Sequence, residues 1–186
     1  FDKKNRKKTP NSIKIKYGEN PNQKAYFVKS SKFNIIDSQI NGKNISYNNI
    51  LDISEGLNCV SEFIEPTCVI LKHNNPSGVA SSKNIQTAYV KALASDPVSA
   101  FGGTIILNRN IDENLAKIIN HSFFEVVVAP KFSKKSLEIL KLKKNLIIIN
   151  SANLKLTKNL NLRSVNSGTL FQETNTFKVN KNSIRL

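Results

Sequence analysis

Thr67-Cys68-Val69-Ile70-Leu71-Lys72-His73-Asn74-Asn75-Pro76-Ser77-Gly78-Val79-Ala80 is the stretch on which the reading of this chain turns. An apolar run of strand character delivers an ammonium and an imidazole side by side, and Asn-Pro and Gly then break regular structure. Open α/β sheets bind ligands beyond the carboxyl ends of their strands, which places Lys72 and His73 at the mouth of a crevice. The alternative on residue pattern alone is a buried strand whose last two residues simply reach solvent.

Working outward, the 186 residues suit one well-cored domain, and 39% hydrophobic with 22% charged residues is ordinary for a globular protein. No apolar stretch approaches the roughly 20 residues of a membrane span. The start Phe1-Asp2-Lys3-Lys4-Asn5-Arg6-Lys7-Lys8 has charge but no apolar segment behind it, so it does not read as a secretory signal, and a cytoplasmic location is expected. The chain holds no Met and opens on Phe1, which reads as a piece of something longer. Residues 1–12 are expected to be a basic linker from a preceding domain, 13–174 a subdomain, and 175–186 a connection onward.

Cys59 and Cys68 are the only cysteines, and His73 and His121 the only histidines, too few for a zinc centre or a disulfide framework; no metal is expected. The net charge of +15 permits attraction to nucleic acid, phosphorylated metabolites or other polyanions. The lysines are scattered, however, and aromatics do not interleave with them as stacking platforms would. No specific nucleic-acid partner is expected, and most of the charge reads as solvated surface.

Ile13-Lys14-Ile15-Lys16-Tyr17 alternates as a strand, ends in the loop Gly18-Glu19-Asn20-Pro21-Asn22, and extended structure resumes at Ala25 to Val28. Ile50, Leu51, Ile53, Leu57, Val60, Phe63 and Ile64 recur at helical spacing behind a cap expected at Asn48 or Asn49. A second helix carries Ile85, Ala88, Tyr89, Ala92 and Leu93, with Ser81 or Ser82 as its cap. Asp96-Pro97-Val98-Ser99-Ala100-Phe101-Gly102-Gly103 breaks it before the strand Thr104 to Leu107. The paired glycines let backbone approach a ligand and present N–H groups to an anion, or they make a plain tight turn. A helix over Ile111 to Ile119, a strand over Phe124 to Ala129 with Glu125 near its start, a helix capped by Ser133 and a strand at Leu146 to Ile149 follow. Strand alternating with helix predicts an α/β fold with a mostly parallel sheet and helices on both faces. Leu162 to Gln172 reads as an extended segment interrupted at Ser167-Gly168.

Four separated stretches, Lys16-Tyr17-Gly18-Glu19-Asn20-Pro21, Tyr47-Asn48-Asn49-Ile50-Leu51-Asp52, Lys72-His73-Asn74-Asn75-Pro76-Ser77-Gly78 and Asp96-Pro97-Val98-Ser99-Ala100-Phe101-Gly102-Gly103, resemble the transformylase part of the bifunctional purine biosynthesis protein. The similarity runs from about Ile13 to Gln172. It implies transfer of a formyl group from the co-substrate 10-formyltetrahydrofolate to AICAR, the aminoimidazole carboxamide ribonucleotide. Lys72 and His73 are then the catalytic pair. Lys16 and Tyr17 would help hold the nucleotide, reaching it from the partner subunit of a homodimer; Asn49 and Gly102 would line its site; Glu125 would accept from its polar groups. The fold implied is the cytidine deaminase-like α/β/α sandwich without zinc, here the first of two related subdomains.

Three positions depart from the family's pattern: Asn22 where His is usual, Ser77 where Cys is frequent, and Lys131 where Gly is common. The ring-closing domain expected before the linker, and the second subdomain expected after Leu186, lie outside this chain. Little turnover is expected of it alone. Two rival readings of another kind are a basic nucleic-acid-binding module and a non-catalytic nucleotide-binding relic of the same fold.

Overall fold

The computed structural model describes residues 12–154 and 161–175. Residues 1–11 and 176–186, most of the expected linker and onward connection, lie outside the described residues. The chain divides into two compact units, at Leu154 and Lys155.

In the first unit an N-terminal hairpin pairs β1 (Ser12–Ile15) with β2 (Ala25–Val28). The remaining strands, β3 (Gln39–Asn41), β4 (Thr67–Lys72), β5 (Asn75–Ser81), β6 (Thr104–Leu107), β7 (Val126–Ala129) and β8 (Ile147–Asn150), form one sheet in the order β3-β8-β7-β6-β4-β5. Helices α1 (Tyr47–Ser61), α2 (Ile85–Ser95), the single turn α3 (Pro97–Ala100), α4 (Glu113–Asn120) and α5 (Lys134–Leu140) connect them.

Both faces of the sheet are covered, which is why its inner strands read as unbroken apolar runs. Val69, Leu71, Ile106, Val126, Val128, Ile147 and Ile149 pack on one face with Ile53 and Val60 of α1. Cys68, Ile70, Ile105, Leu107, Val127 and Ile148 pack on the other with Ala88, Tyr89 and Ala92 of α2, Leu115 and Ile119 of α4, and Leu140 of α5. The architecture is therefore three-layer α/β.

The sheet is mixed, which corrects the expectation of a mostly parallel one. Only β6–β7 and β7–β8 pair in parallel; β3–β8, β4–β5 and β4–β6 are antiparallel. The helical connections obey the parallel rule: β5 to β6, β6 to β7 and β7 to β8 each join strands of one direction, and α1 joins β3 to β4 in the other. What reverses the chain is the two-residue turn between β4 and β5. Asn75-Pro76-Ser77-Gly78, expected to leave regular structure, is strand β5. Pro76 is tolerated because β5 is the sheet edge, and Ser77 is the extra residue of a bulge at the Ile70/Leu71 register shift.

Local capping also differs from expectation. Ser46, not Asn48 or Asn49, caps α1, and Asn49 completes the capping box three residues on. Asn84, not Ser81 or Ser82, caps α2. In the second unit, β9 (Asn161–Val165) and β10 (Gly168–Gln172) form a two-stranded antiparallel hairpin turning through Ser167 at φ 70°.

Candidate active site

Lys72 is the last residue of β4, and His73 and Asn74 form the turn to β5. Both are left-handed, His73 at φ 53° and Asn74 at φ 63°, the signature of a type I′ hairpin turn. His and Asn are among the non-glycine residues that enter this region most readily. The turn lifts His73 into solvent, where its ring has no hydrogen-bond partner among the described residues. Lys72, half-buried, donates from Nζ to the Phe101 carbonyl at 2.8 Å.

Because β4 runs against β5 to β8, the carboxyl end of β4 lies beside the amino ends of β6, β7 and β8. The site is thus built at a carboxyl end of one strand only. The Gly102-Gly103 pair lets the chain leaving α3 cross this edge: Gly102 takes φ +74°, and a Cβ on Gly103 would stand 2.7 Å from the Leu71 carbonyl oxygen. The N–H groups of both glycines are already used, Gly102 donating to Phe123 O at 2.9 Å and Gly103 to Ala100 O at 3.0 Å. Of the two sequence readings, the tight turn holds; these N–H groups are not presented to an anion. Phe101 and Phe123 stack as a tilted pair with centroids 5.1 Å apart, and at 62% and 49% exposure they leave an aromatic surface beside Lys72.

Glu125 immediately precedes β7, and its backbone N–H donates to Gly103 O at 3.0 Å. Asn49, buried at the start of α1, donates from Nδ2 to Glu125 Oε2 at 3.2 Å. Lys43 sits 3.3 Å from the other carboxylate oxygen, a half-exposed ion pair of small energetic weight. Asn49, expected to line the nucleotide site, is engaged within the chain with Glu125 and with Ser46.

Asp52, the last residue of the Tyr47–Asp52 stretch, is given no role by the sequence reading, yet it meets the Lys72–Asn75 turn. It is 6% exposed on the buried face of α1, with Asn49, Ile53, Gly56 and Val60. It accepts from the Asn74 N–H at 2.7 Å and from Thr104 Oγ1 at 3.4 Å. A carboxylate at helical spacing among apolar residues was the available signal.

Lys16 and Tyr17 follow β1, the ammonium lying 5.4 Å from the ring centroid. Their loop meets α1 where Asn48 Nδ2 donates to Glu19 O at 3.4 Å, next to Asn49. No hydrogen bond or ion pair joins Lys16 or Tyr17 to Lys72, His73 or Glu125 among the described residues. A cavity of about 460 Å³ elsewhere is lined by Lys29, Ser30, Ser31, Lys32 and Asp37, none of them in this group. Among the described residues no cluster of three or more His, Cys, Asp or Glu could hold a metal, and no helix is long and apolar enough to cross a membrane.

Burial raises the Asp52 carboxyl above the ordinary aspartate range, against the opposing pull of the Asn74 N–H, of His73 and of the Thr104 hydroxyl. A carboxyl whose affinity for protons rises on folding stabilises the fold below its unfolded value of about 3.9, and this contribution is lost as pH climbs through the raised folded value. Asp52→Asn escapes that loss. In thermal melts its stability relative to wild type is expected to improve from about pH 4 to pH 7; a difference that stays flat or narrows would show that Asp52 is not raised.

The whole chain, residues 1–186, matches the family model described as AICARFT/IMPCHase bienzyme. It is 46% identical over 166 residues to the bifunctional purine biosynthesis protein PurH of Caldicellulosiruptor bescii, covering 86% of this chain and 32% of that protein. The PurH of Bacillus cytotoxicus is 44% identical over 177 residues, covering 91% of this chain and 34% of its own. Among solved structures, Acinetobacter baumannii RibD aligns with a TM-score of 0.40 at 19% identity, over 50% of this chain and 33% of its own, too partial a likeness to bear on fold or function. The chain spans about a third of the length of these curated relatives. With the matched model spanning every residue and relatives this close, the chain belongs to the AICARFT/IMPCHase bienzyme family.

Proposed function

We propose that this chain is the first part of an AICAR transformylase acting in purine biosynthesis, with Lys72 and His73 as the reacting pair. The observation that carries the reading is the β4–β5 turn, where Lys72 and His73 follow one another, Lys72 Nζ bound to the Phe101 carbonyl next to Gly102 and the His73 ring without a hydrogen-bond partner among the described residues. The nucleotide amine is a weak nucleophile because its lone pair is delocalised into the ring and carboxamide, so its attack needs a base. His73 takes the amine proton as the N–C bond to the formyl carbon forms, a role typically worth about 10²–10⁴-fold. Lys72 stabilises the negative charge that develops on the formyl oxygen; loss of such a donor commonly costs about 10²–10³-fold. Collapse of the tetrahedral intermediate breaks the bond to the folate nitrogen, which leaves with a proton.

Glu125, with Oε2 accepting from Asn49 and Oε1 paired with Lys43, keeps further carboxylate lone pairs for nucleotide donors. The exposed Phe101 and Phe123 rings suit a flat conjugated ligand such as the folate co-substrate. Lys16 and Tyr17, without a hydrogen bond or ion pair to Lys72 or His73 among the described residues, fit a role completed by the partner subunit of a homodimer. The deaminase-like fold and a cytoplasmic location belong to the same reading.

Calorimetric titration of the full-length protein with AICAR tests it, followed by a formyl-transfer assay with 10-formyltetrahydrofolate. Saturable AICAR binding and turnover are expected. Absence of both, with tight oligonucleotide binding at physiological salt, would replace this reading with a nucleic-acid-binding one.

A further inference from the structure

The turn that carries Lys72 and His73 places two consecutive non-glycine residues in left-handed backbone, a conformation that costs roughly 1–2 kcal/mol per residue. Such strain persists where surrounding structure over-determines it. Locally, the turn is closed by the Lys72–Asn75 pair and by Asn75 Nδ2 donating to His73 O at 3.0 Å. Its tie to the rest of the fold is the Asp52 carboxylate, whose Oδ1 accepts from the Asn74 N–H at 2.7 Å and toward which the His73 backbone N–H also points. The other Asp52 oxygen is anchored by Thr104 Oγ1, so one carboxylate joins α1, the turn and the first residue of β6.

No lysine or arginine pairs with Asp52 among the described residues, and the titratable group that faces it is His73. A buried carboxylate without an ion partner is a burden on stability, so packing alone does not account for it. Its hydrogen bond to the turn does.

We propose that Asp52 is a positioning residue for the reaction: by holding the Asn74 amide it keeps His73 and Asn74 left-handed, and so aims the Lys72 and His73 side chains. The inference rests on Lys72 and His73 being the reacting pair. Misplacement of a reacting group by about 1 Å can lower a rate about 10²-fold.

The test uses the full-length protein, assayed with AICAR and 10-formyltetrahydrofolate. Asp52→Ala is expected to lower kcat about 10²-fold with little change in KM for AICAR. Asp52→Asn is expected to keep most of the rate, since its amide oxygen still accepts from Asn74 and the Thr104 hydroxyl can accept from its NH2. Adding Asn74→Gly to Asp52→Ala should recover part of the loss, because glycine enters left-handed backbone freely. Hydrogen exchange at the Asn74 amide should quicken in Asp52→Ala and not in Asp52→Asn. Should Asp52→Ala fail to fold, Asp52→Leu fills the volume without an acceptor and takes its place. A full rate in the variant without an acceptor, unchanged Asn74 exchange, or an Asp52→Asn variant as impaired as Asp52→Ala would each overturn the inference while leaving the reacting pair intact. A full rate in His73→Ala would instead overturn the pair, and with it the catalytic role of Asp52.

Discussion

His73→Ala in the full-length protein is expected to lower kcat for formyl transfer by about 10²–10⁴-fold, the usual worth of a positioned general base. AICAR binding should persist, because the proposed nucleotide-binding residues Asn49 and Glu125, with Lys43, are held by one another and not by the imidazole. The substitution keeps a Cβ at the left-handed position, so it adds little new backbone strain. It also breaks no hydrogen bond to the ring among the described residues, since none is made. The loss should therefore fall on the chemical step, and a fold measured by thermal melt should be nearly unchanged. A variant that retains the full rate would remove His73 from the mechanism and favour the reading of the chain as a nucleotide-binding relic.

Gly78→Ala is expected to produce a large loss of stability. A Cβ built on Gly78 would stand 1.9 Å from the Ala92 carbonyl oxygen and 2.8 Å from its carbon, both backbone atoms of α2. No rotamer change can relieve that contact; β5 must move away from α2. Overpacking of this kind costs about 3 kcal/mol at the upper end of its usual range. For a unit of this size that corresponds to about 6–12 °C in melting temperature. The displaced strand is the second arm of the hairpin bearing Lys72 and His73, so formyl transfer should fall as well. An unchanged melt would mean that β5 and α2 do not approach this closely. Gly78 reads in the sequence as a breaker after Pro76, whereas in the fold it is the strand residue whose missing side chain admits a helix backbone.

Sequence by itself determined where most elements lie and which residues they bury. The runs Cys68 to Leu71, Ile105 to Leu107, Val126 to Ala129 and Ile147 to Ile149 are apolar on every position, and both sheet faces are covered in the fold. The Ser133 cap and the helices through Ile53 and Ala88 are set by interactions within four residues, and such patterns are visible in a linear string. Lys72, His73, Asn49 and Gly102 lie in the stretches that carry the family resemblance, and the role expected of Glu125 is what that resemblance implies.

Tertiary structure alone decided the direction of β5 and with it the edge on which the site stands. Two residues, His73 and Asn74, turn the chain, and their side chains give no signal as clear as Asn-Gly would. It also decided which polar groups meet: Asn74 with Asp52 across 22 residues, and Asn49 with Glu125 across 76. The Gly102 and Gly103 N–H groups, open to an anion on paper, find carbonyl partners only once Phe123 and Ala100 are in place. Periodicity and capping act over one or two turns of chain, but a hydrogen bond between distant residues depends on the path of every element between them.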